Sequence, residues 1–219
     1  EFGMDTNPGE ETDMNGNRNR AQPVFETKRY IDAAGGGSLM LASHYTFIDE
    51  TASKFGLIRN NQNTTYGPYT PKWAFGAAAN TIRQLSGAAL VSDDSEEGAN
   101  LYHYVFSKNG NPLNVMFTGT GGSATVVLNT SSSVTMTDMM GNSTVLTPVD
   151  HYIELELTEE PIFVTGTFSV YTPYQSLHAT EVETLSSSVS SGGSAQLVGS
   201  YSAGNDQVVT FTTGSWGGW

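Results

Sequence analysis

The chain has 219 residues, with nine Lys and Arg against 22 Asp and Glu, giving a formal net charge of −13 at only 14% charged residues. Few cations are present to cluster into a phosphate-binding surface, which disfavours nucleic acid, and no nucleic-acid partner is expected. The lack of cysteine excludes disulfides, thiolate metal sites and Cys nucleophiles, and with no apolar run of about 18 residues and no basic-then-apolar leader no membrane partner is expected.

In chain order, residues 9–20 are polar, Gly- and Asn-rich and without period, and read as a surface loop. Pro23 is placed to start a helix in which Val24, Tyr30 and Ile31 mark an apolar stripe, closed by Gly35, Gly36 and Gly37. Residues 39–48 (LMLASHYTFI) form a short apolar and aromatic run that predicts a strand buried on both faces. A second polar loop spans 60–69. A helix follows, with Thr70 as its cap, Pro71 in its first turn, Phe75, Ala78, Ala79, Ile82 and Leu85 as its apolar face, and Gly87 at its end.

Beyond residue 90 the pattern changes to short alternating runs rich in Val and Thr. Strands are predicted at 101–108, 112–118, 124–129, 134–137, 143–147, 151–158 and 161–167, each bounded by Gly, Asn, Asp or Pro. Asn109-Gly110 signals a two-residue hairpin turn between the first two. Gly119 to Gly122 (GTGG) lacks the Lys and helix of a phosphate loop and reads as a hairpin turn. This spacing predicts an antiparallel β-sandwich. Tyr102, Tyr104 and Phe106 fall on one face of their strand and are assigned to the core. Residues 186–194 (SSSVSSGGS) resemble a flexible linker, with further strands at 195–198 and 207–213.

One buried strand between two helices has no sheet of its own to join, and the motifs explain the order. Glu1-Phe2-Gly3 resembles the end of the seventh strand of clan A (β/α)8-barrel retaining glycoside hydrolases. His44 to Asp49 (HYTFID) resembles their eighth strand, Phe55 to Ile58 (FGLI) the turn after it, and Pro71 to Phe75 (PKWAF) the start of the final helix. Asp138 to Asn142 (DMMGN) and Glu160 to Val164 (EPIFV) are similar to the small β-sandwich that follows the barrel in several of these families. The resemblance covers residues 1–167 in order and spacing. Glu1-Phe2 is also the dipeptide a common restriction site encodes, and that alternative stays open.

The resemblance implies a mixed fold: the C-terminal end of a (β/α)8 barrel (two helices, one to two strands), an antiparallel β-sandwich and a partial β module, divided at 1–90, 91–166 and 167–219. It implies a retaining glycosidase, which needs two carboxyl groups about 5 Å apart. Glu1 would be the nucleophile. The acid/base would lie on a fourth strand that the chain lacks, so no hydrolysis is expected from this polypeptide alone. His44, Tyr45 and Asp49 are placed on the rim that would hold a sugar ring, through ring stacking and hydrogen bonds. Tyr45 equally suits packing between barrel elements.

Residues 179–183 (ATEVE) and 202–209 (SAGNDQVV) look like the opening of a calcium-binding jelly-roll carbohydrate module, in which Glu181 and Glu183 on one strand face would hold a structural Ca²⁺. A solvated acidic edge strand fits the same residues. No cofactor is expected for catalysis. His103, His151 and His178 show no metal-ligand spacing. The expected partner is a polysaccharide or oligosaccharide, together with the missing N-terminal part of the same barrel, and the expected location is secreted. The rival expectation is a non-catalytic carbohydrate-binding or adhesion protein whose β-domains do the work.

Overall fold

The computed structural model describes residues 3–4, 18–36, 43–51, 54–63, 66–96, 100–119 and 121–171. Two helices, α1 (Arg18–Gly35) and α2 (Trp73–Leu85), precede nine strands: β1 (Ala88–Asp93), β2 (Leu101–Lys108), β3 (Asn111–Thr118), β4 (Ala124–Asn129), β5 (Val134–Asp138), β6 (Ser143–Leu146), β7 (Tyr152–Leu157), β8 (Ile162–Thr165) and β9 (Ser169–Tyr171). They form three layers, with the helices on one face of a six-stranded sheet and a three-stranded sheet on the other.

Helix α1 begins at Arg18, inside the stretch expected to be loop, and Pro23 lies within it and does not start it. Proline has no N–H, so the helix forgoes the bond to the carbonyl four residues back. It continues because Ala21, Gln22, Val24, Glu26, Thr27 and Ile31 are all buried on it, and packing of a helix face outweighs local propensity.

In α2 the expected cap is also displaced. Lys72 occupies the N-cap with no side-chain bond, while Thr70 Oγ1 donates to the Gly67 carbonyl at 3.0 Å. The buried face is Ala74, Ala77, Ala78 and Thr81, and Ile82 is 52% exposed. The stripe is therefore rotated from the expected one, because small side chains let α2 lie close against α1. Gly87, at φ +73°, follows the helix end as expected.

The strand expected at 39–48 does not appear among its described residues, 43–48. Backbone pairing there is confined to isolated bridges such as the parallel Ile48↔Ile58, and Tyr45, Phe47 and Ile48 are exposed. A parallel strand draws its stability from ladders with its neighbours, and the described residues supply only the stretch around Ile58.

The six-stranded sheet has the order β1-β2-β3-β8-β5-β6 and the smaller one β7-β4-β9, with every strand pair antiparallel. The hairpin at Asn109 (φ 53°) and Gly110 (φ 79°) joins β2 to β3 as predicted. Gly119 to Gly122 does not make a hairpin, because β3 and β4 lie in different sheets; the turn, closed by Gly122 N–H donating to the Gly119 carbonyl at 3.0 Å, carries the chain between layers. Strands β1 and β9 escape the sequence reading. The first is an edge interrupted by a bulge between Leu90 and Ser92, and the second has three residues.

Alternation sorts the cores. On β7, Ile153, Leu155 and Leu157 point inward while Glu154 and Glu156 face solvent. Leu101, Met116, Val126, Leu128 and Val164 join them between the sheets. On the opposite face, Tyr104, Phe106, Val115, Phe117 and Phe163 pack against Ile31 of α1, with Leu85 of α2 and Tyr102 beside them. The aromatic stripe of β2 is thus core, as expected.

Polar contacts fix the helices to the sheets. Asp138 Oδ1 accepts from the backbone N–H groups of Met140 and Asn142, both at 2.9 Å, and Asn80 of α2 donates to the Asp138 carbonyl at 3.1 Å. Arg20 of α1 donates to Glu160 Oε1 at 2.8 Å.

Candidate functional site

Gln22 and Glu26 stand one helical turn apart on α1 and share a face. Both are buried, which is unusual for these residue types and calls for partners. The Gln22 amide donates to the carbonyls of Met4 and Phe55 at 3.0 Å each and of Gly56 at 3.3 Å. It thereby ties three separate stretches of chain together. Glu26 Oε1 lies 2.9 Å from His44 Nε2, and the other ring nitrogen lies 2.9 Å from the Thr46 carbonyl. Glu26 Oε2 is buried without a hydrogen-bond partner among the described residues.

Burial pushes the Glu26 carboxyl above its ordinary value, against the opposing pull of His44 and the Met4 backbone. For His44, burial alone would lower the imidazole, but its hydrogen bond to Glu26 and the charge there outweigh it and raise the ring above its ordinary value.

The segment beyond His44 is held by a second buried pair. Lys72 Nζ reaches Asp49 Oδ1 at 2.6 Å and the Lys54 carbonyl at 2.7 Å, with both charged side chains nearly inaccessible. Gly56 passes so close to the backbone of Ile48 and Asp49 that a Cβ there would fall on the Asp49 amide nitrogen. Asn60 donates to the Glu50 carbonyl at 3.0 Å.

Tyr45 projects outward from this fastened segment. It is 40% exposed, its ring meets Phe55 edge-on at 5.5 Å, and its hydroxyl donates to Glu50 at 3.2 Å. Gly3 lies against it: a Cβ built on Gly3 would stand 3.3 Å from Tyr45 Cβ. The backbone two residues after Glu1 therefore runs beside the residues expected to form the sugar rim.

Of the residues singled out from sequence, His44, Tyr45 and Asp49 fall in one neighbourhood, but they face differently. His44 and Asp49 turn inward to Glu26 and Lys72, and Tyr45 alone of the three presents its ring to solvent. Glu1, Glu181 and Glu183 lie outside the described residues. Among the described residues no cluster of three or more His, Asp or Glu side chains is arranged to hold a metal, and no helix is long and apolar enough to cross a membrane.

Gln22, Glu26 and Lys72 were missed in the sequence. The available signal was two polar residues, Gln22 and Glu26, interrupting the apolar stripe of α1. Other exposed aromatics share the region: Trp73 beneath the Arg20 guanidinium at 5.3 Å, Tyr66 beneath Arg59 at 4.2 Å, and Phe47 edge-on to Phe75 at 6.1 Å.

No family model matches the chain, and no curated protein matches it in sequence. Among solved structures, it is similar to a family 39 glycoside hydrolase from the gut symbiont Bacteroides cellulosilyticus, with a TM-score of 0.55 and 16% identity over 71% of this chain and 32% of that one. A second is a GH30 endoxylanase from Clostridium papyrosolvens, with a TM-score of 0.43 and 13% identity over 67% of this chain and 38% of that one. The chain spans about a third of the length of the first of these, and at 16% identity the likeness is one of fold.

Proposed function

We propose that this chain is the C-terminal part of a secreted glycoside hydrolase that cleaves a polysaccharide with retention, Glu1 acting as nucleophile. The observation that carries the reading is the approach of Gly3 to Tyr45 and Phe55. It brings the backbone following Glu1 alongside the exposed ring of the candidate rim. The fold likeness to a family 39 glycoside hydrolase supports it, as do the Glu-Phe-Gly, HYTFID, DMMGN and EPIFV motifs in their order.

In this reading Tyr45 supplies an apolar ring face to the C–H groups of a sugar, while Glu50, already bonded to its hydroxyl, fixes the ring's tilt. His44 and Asp49 act beneath the rim, holding the segment that carries Tyr45 to α1 and α2. Ionised Glu1 would attack the anomeric carbon as the glycosidic bond breaks. The leaving oxygen would take its proton from a carboxyl group on an upstream strand, and water would then release the sugar from the Glu1 ester. Residues 1–87 are the barrel end; the accessory sandwich runs over 88–171, beyond the expected limits of 91 and 166 because β1 and β9 pair into its sheets; the start of a further module follows, where Glu181 and Glu183 hold Ca²⁺.

The test is aryl-glycoside hydrolysis by the purified 219-residue chain and by a longer protein that carries barrel sequence ahead of it. Turnover by the longer protein only, lost in Glu1→Gln, is the expected result. Turnover by the short chain that disappears in Glu1→Gln would show that no upstream carboxyl group is needed.

A further inference from the structure

The three strands β7-β4-β9 cannot cover the inner face of a six-stranded sheet. Beside β9, at the β1–β2–β3 end, they leave a groove of about 450 Å³, within the range of sites for small ligands. Register delivers its floor. Ser92 pairs with Val105, the Asp94 amide donates to the His103 carbonyl at 2.8 Å, and Glu96 bridges to Leu101. Residues opposite one another in an antiparallel pair share a face, so Asp94, Glu96 and His103 stand on one side together. Asn114 of β3 joins them, its Oδ1 2.9 Å from His103 Nε2. Here the inward positions change from the Leu101 and Met116 of the core to buried His103 and Asn114. Pro112 and Phe168 supply apolar wall, and Thr167 and Ser169 add hydroxyls.

We infer that this groove is a second ligand site, which takes a short stretch of an uncharged saccharide chain. Two carboxylates and no lysine or arginine among its described lining residues turn away anions. A bare metal ion is poorly served, since no cluster of three or more His, Asp or Glu among the described residues is arranged to hold one. The groove combines acceptor-only carboxylates, an amide and an imidazole that both donate and accept, and apolar wall. Sugar hydroxyls donate and accept, and sugar C–H faces are apolar. The site shares no residue with the Glu26–His44 neighbourhood and does not depend on Glu1 being a nucleophile.

The test is residue-resolved NMR titration of the full 219-residue chain with xylotetraose, cellotetraose and mannotetraose, run in parallel on Asp94→Asn and Ser169→Trp. Asp94 and Ser169 are exposed, so these changes leave the fold intact. The expected result is saturable binding of at least one of the three, read as shifts at residues 92–96, 103, 114 and 166–170, separately from any shifts around Tyr45. Asp94→Asn should weaken the groove binding about tenfold, and Ser169→Trp should abolish it by filling the groove. Three results would overturn the inference: no saturable shift at these residues with any of the three sugars, shifts there that survive Ser169→Trp, or shifts confined to the surroundings of Tyr45, which would locate the binding at the barrel-end rim.

Discussion

His44 Nε2 lies 2.9 Å from Glu26 Oε1 while His44 Nδ1 lies 2.9 Å from the Thr46 carbonyl oxygen. A carbonyl only accepts, so Nδ1 must donate. One proton must then also sit between Nε2 and Oε1, on the imidazole or on the carboxyl group. Without it, a lone pair would face a carboxylate in a buried site. The segment carrying Tyr45 is thus fastened to α1 by a pair that works only when protonated.

That requirement sets a pH dependence. Both groups are raised in the folded chain, Glu26 from 4.5 and His44 from 6.5. Above each ordinary value the folded state therefore holds more protons than the unfolded one, and stability falls with rising pH. The His44 contribution is full below 6.5 and is lost as pH rises through its raised folded value. We expect the melting temperature to fall from pH 6 to pH 8.5, and to fall less in His44→Gln. The comparison with the variant cancels groups such as Lys28, whose pKa burial lowers. Equal slopes in the two proteins would contradict the pairing.

The Asp49–Lys72 pair is buried at 2.6 Å and anchors the same segment to the start of α2. Removing one member of a buried pair strands the other charge and costs about 3–5 kcal/mol. Lys72→Ala should lose that much in urea unfolding. The double variant Lys72→Met with Asp49→Leu should recover a large part of it, because an apolar replacement of similar volume leaves no charge unpaired. A loss below about 1 kcal/mol in the single variant would place the pair in the weak class of surface ion pairs.

These two pairs also show what the sequence could and could not convey. Strands β2 to β8 are legible as short runs bounded by turn residues, and all of them except β6, which buries no residue, commit at least one face to a core; the Asn109-Gly110 turn is dictated by its backbone angles. The three-layer arrangement was not legible. Nothing in residues 102–106 says whether a helix or a second sheet covers Tyr104 and Phe106. Glu26 and His44 are 18 positions apart, and only the folded chain shows that the histidine turns toward the helix. Pro23 and Thr70 misled because local signals for a helix start were overridden by what α1 and α2 bury.

The outer face of the six-stranded sheet carries Tyr104, Phe106, Phe117 and Phe163, covered by Ile31 and flanked by Leu85. A sandwich cut from the chain at residue 88, just ahead of β1, would expose this surface. Such a fragment should bind a hydrophobic dye and self-associate, whereas one beginning at residue 18 should stay monomeric. Sedimentation of both fragments checks this, and a monomeric, dye-negative short fragment would show that the helices are dispensable.

The most direct test of the account is the stereochemistry of glycoside cleavage, followed by anomeric-proton NMR on a protein that joins this chain to barrel sequence ahead of it. The account predicts a first product with the anomeric configuration of the substrate, and turnover lost by orders of magnitude in Glu1→Gln. An inverted product, or a Glu1→Gln protein as active as the wild type, would contradict it.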